Sequence, residues 1–379
     1  MSWPVVKLLN CCEISTGKFD ANHGVTEGSF PFYTCAEKPI AANTYSFDGD
    51  SIILPGNGAN VGLVLFYSGK FEAYQRTYVL NGFKNDVYSR YVFHHLSKYW
   101  KLRNERSQFG SATNYIRMQN FEDYEIPLPP LEEQKRIAAI LDKADSIRRK
   151  RQQAIKLADD FLRSVFLEMF GDPVTNPKGW EIGPLKEGIT SIKSGWSAKG
   201  ESQPCKSGQL GVLKISAVTS GIFKSSENKY VPDEEIDNGK KLIFPRRGDL
   251  LFSRANTREL VAATCIVPDD VDNVFLPDKL WLINTNKEKL LPEFLHCMIW
   301  YPKFKDTLTS QATGTSGSML NISMGKFELT ASIFPSIDKQ KAFGDIYWKV
   351  QHTLQLGSSS YHLNNDVFSS LSQKAFSGK

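Results

Sequence analysis

The chain has 379 residues, of which 41% are hydrophobic, 12% aromatic and 23% charged. A chain of this length is too long for one ordinary domain and suits two or three, and its composition excludes wholesale disorder. The net charge of +5 at pH 7 is a mild basic bias that many proteins without nucleic-acid partners share, so the overall charge identifies no class of partner.

Cysteine usage and the N-terminal segment indicate a reduced, cytoplasmic protein. The cysteines include no pair with the CxxC spacing of a structural zinc site, and the adjacent Cys11 and Cys12 could not easily bridge to each other. The N-terminal sequence MSWPVVKLLN lacks the apolar run of a signal peptide, and no stretch approaches the ~20 apolar residues that span a bilayer. We therefore expect a cytoplasmic protein with no structural metal and no membrane partner.

The first globular segment, residues 1–130, has a mixed, β-rich pattern. Short apolar runs between loops rich in glycine and asparagine predict strands at 51–54, 61–67 and 74–80. A helix is expected to flank them at 86–102.

Two loops of this segment carry side chains suited to contacting DNA. The loop PGNGAN (55–60) has neither the GxxxxGK[ST] pattern of a P-loop nor the GxGxxG pattern of a dinucleotide site, so a tight turn is its simplest interpretation. Its asparagines could nevertheless bind base edges, as asparagine binds adenine. The loop FGSATN (109–114) is small and hydroxyl-rich, so it could approach phosphates closely or be an ordinary turn. The candidate DNA contacts of this segment are Asn57, Asn60, Gln75, Arg76, Ser111 and Thr113.

One long helix is predicted next, at 131–170. The stretch contains no proline or glycine, is rich in good helix formers, and is bracketed by Pro129-Pro130 and Gly171. Forty residues at ~1.5 Å each give about 60 Å, which is far longer than a small domain needs. Apolar positions with 3,4 spacing form a heptad seam that needs a partner helix. We interpret this helix as a spacer, and homodimerisation through the seam is the alternative.

The run RRKR (148–151) on this helix resembles a nucleic-acid patch. Within 131–170, however, nine basic residues accompany seven acidic ones. A solvated helix face or a protein-docking face is therefore the favoured interpretation over a DNA groove.

The second globular segment, residues 171–336, has the same mixed pattern with more local basic charge. Strands are predicted at 249–252, 261–267 and 280–283, and a helix at 292–308. Residues 240–258 hold six basic side chains against one acid, Asp249, so this stretch is a local candidate for binding anions.

The loop FSRANTRE (252–259) within that stretch combines suitable residue types. Arginine pairs with guanine and asparagine with adenine, and the arginines add charge that can neutralise phosphates. A solvated loop remains the alternative. A second hydroxyl-rich loop, ATGTSGS (312–318), follows later in the chain. The candidate DNA contacts of this segment are Arg254, Asn256, Arg258, Lys279, Ser316 and Ser318.

A second long helix is predicted at 337–376, with a weaker pattern. Gly344 and Gly357 each cost about 1 kcal/mol relative to alanine in a helix. The sequence GSSSYHLNND (357–366) is polar. The middle of this helix is therefore expected to bend or break.

The two halves of the chain are related by sequence. Residues 116–170 and 322–376 align without gaps at an offset of 206 with 13 identities, several-fold more than chance gives for this composition. The starts of the segments correspond at an offset of 177, as Trp3 and Trp180 illustrate. The second copy therefore carries about 29 extra residues in its variable part.

A duplicated helix favours pairing within the chain over homodimerisation. We expect an α+β fold with pseudo-two-fold symmetry, in which two long antiparallel helices separate two β-rich mixed domains. The predicted domains are 1–130 and 171–336, and the predicted spacer helices are 131–170 and 337–379.

Motifs for catalysis are absent from the sequence. It has no [DN]PP[YFW] motif of amino-methyltransferases, no FxGxG cofactor loop, no P-loop and no DEAD-like motor motif. The pair His94 and His95 has no other histidine or cysteine at metal-ligand spacing. We therefore expect this chain to have no catalytic site, so that any chemistry belongs to partner proteins.

The helical segments resemble the conserved regions of type I restriction-modification specificity subunits. This resemblance rests on PLPPLEEQKRIAAILDKADSIRRKRQQAI (127–155), LRSVFLEMFGDP (162–173) and FSSLSQKAFSG (368–378). The globular segments resemble that family's target recognition domains through LPGNGANVG (54–62), AYQRTYVL (73–80), GDLLFSRANTREL (248–260), LPDKLW (276–281) and ATGTSGSMLNIS (312–323). The resemblance covers essentially the whole chain.

The resemblance implies a role in reading DNA. Each target recognition domain would read one half of a bipartite, asymmetric site in double-stranded DNA, while the helices set the gap and dock two modification subunits. Those partners would carry S-adenosylmethionine and methylate adenine N6. Restriction subunits, which are motor-nucleases, would translocate and cleave DNA, and this chain would hold no cofactor. The polar, glycine-containing second helix departs from the family pattern.

Two other interpretations stay open. A single-chain restriction-methylation enzyme keeps similar recognition domains fused to catalytic ones, whose motifs are absent here. An antiparallel coiled-coil scaffold would bind only protein.

Overall fold

The computed structural model describes residues 3–105, 114–237, 239–314 and 319–356, together with Phe376. The chain forms two compact units, the first built from residues up to 152 and Phe376, the second from residues 153–356. Each unit combines small sheets with helices, so the expected α+β class is confirmed. The limits of the four domains stated above stay a prediction.

Three small sheets make up the strands described in the first unit. Its strands are β1 (Val5–Lys7), β2 (Glu13–Thr16), β3 (Phe30–Tyr33), β4 (Ile40–Ala42), β5 (Asp50–Pro55), β6 (Leu65–Ser68), β7 (Glu72–Ala73), β8 (Thr77–Asn81) and β9 (Glu125–Pro127). Its helices are α1 (Ser89–Glu105), α2 (Gln119–Glu122) and the first part of α3 (Leu131–Phe170). The largest sheet has the antiparallel order β2-β8-β5-β6. Strand β3 pairs antiparallel with β4 and parallel with β7, and β1 pairs with β9.

The second unit begins inside α3 and contains the remaining elements. Its strands are β10 (Glu181–Pro184), β11 (Ile189–Ser194), β12 (Gly211–Leu213), β13 (Asn228–Tyr230), β14 (Leu250–Ser253), β15 (Ala255–Asn256), β16 (Thr264–Ile266), β17 (Val274–Phe275), β18 (Leu280–Thr285), β19 (Leu320–Asn321) and β20 (Ala331–Phe334). Its helices are α4 (Pro292–Trp300), α5 (Pro302–Ser310), α6 (Met324–Leu329) and α7 (Ile337–Leu356). The largest sheet has the antiparallel order β11-β18-β14-β16.

Strand order and register show that the second unit repeats the first. Strand β12 pairs antiparallel with β13 and parallel with β17, as β3 does with β4 and β7. Val5 lies opposite Pro127 in the β1–β9 pair, and Ile182 lies opposite Ile333 in the β10–β20 pair. These partners keep the offsets of 177 and 206 found in the sequence. The internal repeat is therefore confirmed in the topology.

Three predicted strands are too long at their start, and two of these errors occur at the same place in both copies. The run 74–80 becomes a strand only from Thr77, because the Thr77 amide donates to the Tyr74 carbonyl at 2.8 Å in a turn. The run 61–67 becomes a strand only from Leu65, because the amides of Val61 and Leu63 donate to turn carbonyls at Gly58 and Asn60. The run 261–267 becomes a strand only from Thr264, because Ala262 has a φ of +63°. The apolar composition of the last two runs did not indicate a turn, because the hydrogen bonds of the turns involve only backbone atoms.

The helices follow the sequence more closely. Helix α3 begins and ends at the predicted residues, Leu131 and Phe170. The single helix predicted at 292–308 is wrong, because the residue before a proline avoids the helical region and Tyr301, before Pro302, is extended between α4 and α5. Helix α7 continues through Gly344 to Leu356 without a break. Gly357 lies outside the described residues.

Helix α3 is buried near its two ends and exposed between them. Ile137 and Leu141 belong to the hydrophobic core of the first unit, and Phe166 belongs to that of the second. Between them, Leu157 and Phe161 have relative exposures of 60% and 51%. Large apolar side chains exposed on one helix are typical of a surface that binds a partner.

Candidate nucleic-acid interface

Three chain segments that are distant in sequence meet at one cleft of the first unit. The Gly56 amide donates to the Arg76 carbonyl at 2.9 Å, and the Ile116 amide donates to the Gly56 carbonyl at 2.9 Å. A Cβ at Gly56 would lie 2.3 Å from that Arg76 oxygen, so only glycine fits this approach. The cleft has a volume of about 270 Å³ and includes Asn57, Gln75, Arg76, Tyr78 and Tyr115 in its walls.

The structure places three of the predicted contacts of this unit in the cleft. Arg76 is exposed, and its guanidinium has no partner among the described residues. Gln75 is exposed and donates to Asp20 Oδ2 at 3.2 Å. Asn57 forms a backbone bridge with Tyr115. An exposed arginine beside amide side chains can form hydrogen bonds with base edges or phosphates.

The other predicted contacts of the first unit are not in this cleft. Asn60 donates from Nδ2 to the Cys35 carbonyl at 2.8 Å, which ties two loops together. Ser111 and Thr113 lie outside the described residues.

The equivalent face of the second unit has a different side chain at its centre. Arg254 takes the place of Gly56, because its amide donates to the Lys279 carbonyl at 3.1 Å and its carbonyl accepts from the Ile322 amide at 2.8 Å. Its guanidinium donates to the Asp278 carbonyl at 2.8 Å and to Asn321 Oδ1 at 3.0 Å. Arg254 therefore joins loops at the position where the first unit has an open cleft.

Three of the remaining predicted contacts of the second unit, Asn256, Arg258 and Lys279, keep polar atoms without a hydrogen bond in the part of the chain that the structure describes. Asn256 Oδ1 accepts from the Thr257 amide at 2.8 Å, while its side-chain nitrogen has no partner among the described residues. The charged ends of Arg258, which is exposed, and Lys279, which is half-buried, make no hydrogen bond or salt bridge in the same part of the chain. Ser316 and Ser318 lie outside the described residues.

Two of the six cations in the basic stretch 240–258 are paired with carboxylates. Arg246 pairs with Asp272, so part of the charge in this stretch is neutralised locally. Arg254 is likewise held by Asp278.

Two buried glutamines escaped the sequence analysis, although their identity at the offset of 206 was visible. Gln134 is fully buried; its Nε2 donates to the carbonyls of Asp86 and Pro129, and its Oε1 accepts from the Tyr88 amide. Gln340 is also fully buried and makes the corresponding bonds to Lys289, Pro335 and Leu291. All six distances lie between 2.8 and 2.9 Å. Each glutamine therefore fastens a long helix to its own unit, and the bonds set the correspondence of α1 with α4 at an offset of 203.

A pair of repeated phenylalanines packs at the other end of the long helical segments. Phe170 contacts Phe294 of α4, with ring centroids 4.8 Å apart. Phe376, its counterpart at the offset of 206, contacts Tyr91 of α1 at 5.5 Å. Phe170 thus belongs to the core of the second unit and Phe376 to that of the first.

The titratable groups buried in both units serve packing. Burial raises the pKa of the Cys11 thiol to about 11 and that of Cys12 to about 12, so both stay protonated. Burial lowers the pKa of His95 and of His296 to about 3.

Among the described residues, no group of three His, Cys, Asp or Glu side chains has a metal-binding arrangement. No helix in that part of the chain combines the length and apolarity needed to cross a membrane.

Comparisons with known proteins point to one family. Residues 2–157 match the family described as type I restriction modification DNA specificity domain. The specificity subunit of the type I restriction enzyme EcoDI from Escherichia coli is 36% identical over 147 residues, which cover 38% of this chain and 31% of that subunit. The MjaVIII specificity subunit from Methanocaldococcus jannaschii is 24% identical over 329 residues, 81% of this chain and 73% of that subunit.

A solved structure shares the fold. The S subunit of a type I restriction-modification system from M. genitalium matches with a TM-score of 0.65 at 16% identity, covering 99% of this chain and 96% of that one. The match to the EcoDI subunit spans about a third of that relative's length. Residues 2–157 are therefore similar in sequence to the DNA specificity domain of type I restriction-modification systems, and the chain shares its fold with an S subunit of such a system.

Proposed function

We propose that the chain is the DNA-reading subunit of a type I restriction-modification complex. Each unit reads one half of a bipartite, asymmetric site in double-stranded DNA. The chain itself is not an enzyme. Two modification subunits supply S-adenosylmethionine and adenine N6 methylation, and restriction subunits supply translocation and cleavage.

This proposal rests on one observation: the two units share a backbone arrangement but carry different side chains at equivalent positions. Gly56 and Arg254 occupy equivalent backbone positions, as do Arg76 and Lys279, because their amide and carbonyl bonds correspond. Base edges are distinguished by side-chain donors and acceptors, so two different sets at one position suit two different half-sites.

The helices support a further part of the proposal, which is that they set the gap between the half-sites and dock the modification subunits. Large apolar side chains of α3 are exposed between its buried ends. Phe170 packs in the core of the second unit, while Phe376, its counterpart at the offset of 206, packs in that of the first. An antiparallel pair of helices that sets the distance between the half-sites, and docks the modification subunits, accounts for both features.

Selection of bound sites from random duplex DNA tests the reading of half-sites. Arg76→Ala should alter the base preference of one half-site and weaken binding by about 1–3 kcal/mol, the value of one good bidentate contact. Asn256→Ala should alter only the other half-site. Lys135→Ala, at a site on α3 outside both faces, is the matched control and should leave both halves unchanged.

Two results would contradict the proposal. One is that both variants retain the wild-type preference in both half-sites. The other is that wild-type protein selects no duplex sequence, with or without modification subunits. Binding of protein partners without DNA selection would support the coiled-coil scaffold. Methyl transfer, ATP hydrolysis or cleavage of DNA by the isolated chain would support the single-chain enzyme.

A further inference from the structure

A second depression of the first unit carries a concentration of positive charge. This basic groove has a volume of about 570 Å³ and is bordered by residues 59–64, α1 and α3. Its cations are Lys98, Lys101, Arg148 and Arg149. The one carboxylate among its lining residues is Asp145, which pairs with Arg148 at 2.6 Å and with Arg149 at 2.7 Å. The groove therefore keeps an excess of positive charge.

Both lysines of the basic groove lack an anionic partner. Lys98 Nζ is sealed from solvent without a hydrogen-bond partner, and the ring centroid of Tyr99 lies 5.2 Å away. Lys101 is exposed, its ammonium has no partner in the described part of the chain, and its stem lies against Gly62. A buried ammonium without a hydrogen bond is unfavourable. An anion in the groove would pair with the exposed Lys101, and an outward turn of the Lys98 side chain would bring its ammonium to the same anion.

The second unit has uncharged side chains at the positions equivalent to three of these cations. At the offsets set by the two glutamines, Lys98 corresponds to Tyr301, Lys101 to Phe304 and Arg148 to Leu354. Tyr301 and Leu354 line a cavity of about 240 Å³ there, and Phe304 is part of the hydrophobic core. The same fold therefore forms with aromatic and aliphatic side chains at these positions. Packing does not require cations at these three positions, and a ligand of the first unit accounts for them.

One loop connects the basic groove to the candidate nucleic-acid interface. Asn57 lines the cleft that contains Arg76, and residues 59–64 line the groove. DNA presents one negative charge per ~1.7 Å of duplex axis, so phosphates accompany any base contact made in the cleft. The run RRKR (148–151) is predicted to lie on a solvated or protein-docking face, and an acidic surface of a partner docked on α3 could also supply anions. The loop that the groove shares with the cleft favours DNA over that partner.

We propose that the basic groove binds the phosphate backbone of DNA next to the first half-site, through a contact independent of base sequence that the equivalent positions of the second unit do not make. This inference rests on the proposed DNA-reading function. It assigns to the first unit a larger share of the salt-sensitive binding.

The salt dependence of DNA binding by the full chain tests this contact. Each phosphate neutralised contributes about 0.9 to the slope of log Kd against log salt concentration. The double variant K98Q/K101Q should therefore lower the slope by about 1.8, with unchanged base preference in both half-sites. K101Q alone should lower it by about 0.9, and it guards against a folding defect caused by changing the buried Lys98. K135Q/K143Q removes the same charge from exposed positions of α3 outside the groove and should leave the slope unchanged.

The outcomes separate this inference from the function on which it rests. A wild-type slope in both groove variants would overturn the phosphate contact while leaving half-site reading intact. An unchanged slope with weakened binding of a modification subunit would assign the groove to an acidic protein surface instead. An equal loss of slope in K135Q/K143Q would show that the slope depends on the net charge of the chain and not on the groove. Absence of selective DNA binding by the wild type would overturn the proposed function itself.

Discussion

Gln134 and Gln340 fix the point at which each long helix meets its unit. Each amide satisfies two carbonyls and one backbone amide in a fully buried position. The sequence predicted that these glutamines are repeated. Their role was not predictable, because the partners beyond the neighbouring proline are backbone groups 46 to 51 positions away.

Replacing Gln134 by leucine should destabilise the first unit by about 3 kcal/mol. The apolar side chain would leave the Tyr88 amide and the Asp86 and Pro129 carbonyls without their buried partner, and each such loss costs about 1–3 kcal/mol before relaxation. Urea denaturation measures the change. Gln152→Leu, at an exposed position of the same helix, is the control and should stay within about 0.5 kcal/mol. Equal stability of the two variants would show that the buried amide bonds do not fasten the helix.

His95 should make the protein sensitive to acid. Its pKa falls from the ordinary 6.5 to about 3 through burial, so the folded chain keeps the ring neutral while the unfolded chain binds a proton between these values. The contribution of His95 to stability is therefore complete above pH 6.5 and decreases as the pH falls toward 3. One proton corresponds to about 1.4 kcal/mol per pH unit.

Measuring the free energy of unfolding between pH 6.5 and 5 checks the contribution of His95. His95→Gln should reduce the slope in this window by about one proton. Tyr124→Phe, which removes the hydroxyl 3.2 Å from His95 Nδ1 but keeps the histidine buried, should retain the slope. An unchanged slope in the glutamine variant would mean that burial of His95 does not control the acid response.

The candidate site was predictable in part. Asn57, Gln75 and Arg76 were identified from residue type, and the structure brings them to one cleft. The role of Arg254 was not visible, because its bonds to Asp278 and Asn321 depend on a position that only the fold equates with Gly56.

At the scale of elements, periodicity located the long helix and misjudged short strands. Forty residues without proline or glycine give an extended signal, and α3 has the predicted ends. The runs 61–67 and 261–267 are rich in apolar residues, and such short runs do not distinguish a strand from a turn followed by a strand. The turns before β6 and β16 occur at the same place in both copies, so they are features of the fold rather than of one sequence.

Gly344 offers a direct test of helix propensity in α7. It is buried in the helix interior, and a Cβ added there would meet only the Glu293 side chain, at 3.8 Å, which is ordinary contact. The corresponding residue of α3 is Ala138, also fully buried. Gly344→Ala should therefore stabilise the second unit by about 1 kcal/mol.

Thermal unfolding of reciprocal variants measures this effect. Ala138→Gly should lower the stability of the first unit by about 1 kcal/mol or more, because it adds backbone freedom and removes a buried methyl group. A loss of stability in Gly344→Ala would show that α7 needs the glycine for close packing.

At the scale of the whole molecule, a duplication has placed the ends of each helical segment in different units. The start of α3 packs in the first unit and Phe170 in the second, while the start of α7 packs in the second unit and Phe376 in the first. The sequence predicted this exchange through its repeat and the length of α3. If the segments pair as proposed, neither can change length alone without distorting the seam.

Lengthening both segments together should therefore change only the gap between the half-sites. One heptad inserted after Lys150 and one after Leu356, positions related by the offset of 206, would keep the heptad seam and separate the units by ~10 Å. At ~3.4 Å per base pair this equals about three added base pairs. Three base pairs also rotate the second half-site by roughly 100°, so DNA twist must absorb the mismatch and affinity should fall. Site selection from random DNA measures the gap directly.

A heptad in α3 alone is the control and should weaken binding without producing a new, defined gap. An unchanged gap in the double insertion, or an altered base preference within either half-site, would be incompatible with helices that set the distance between the half-sites.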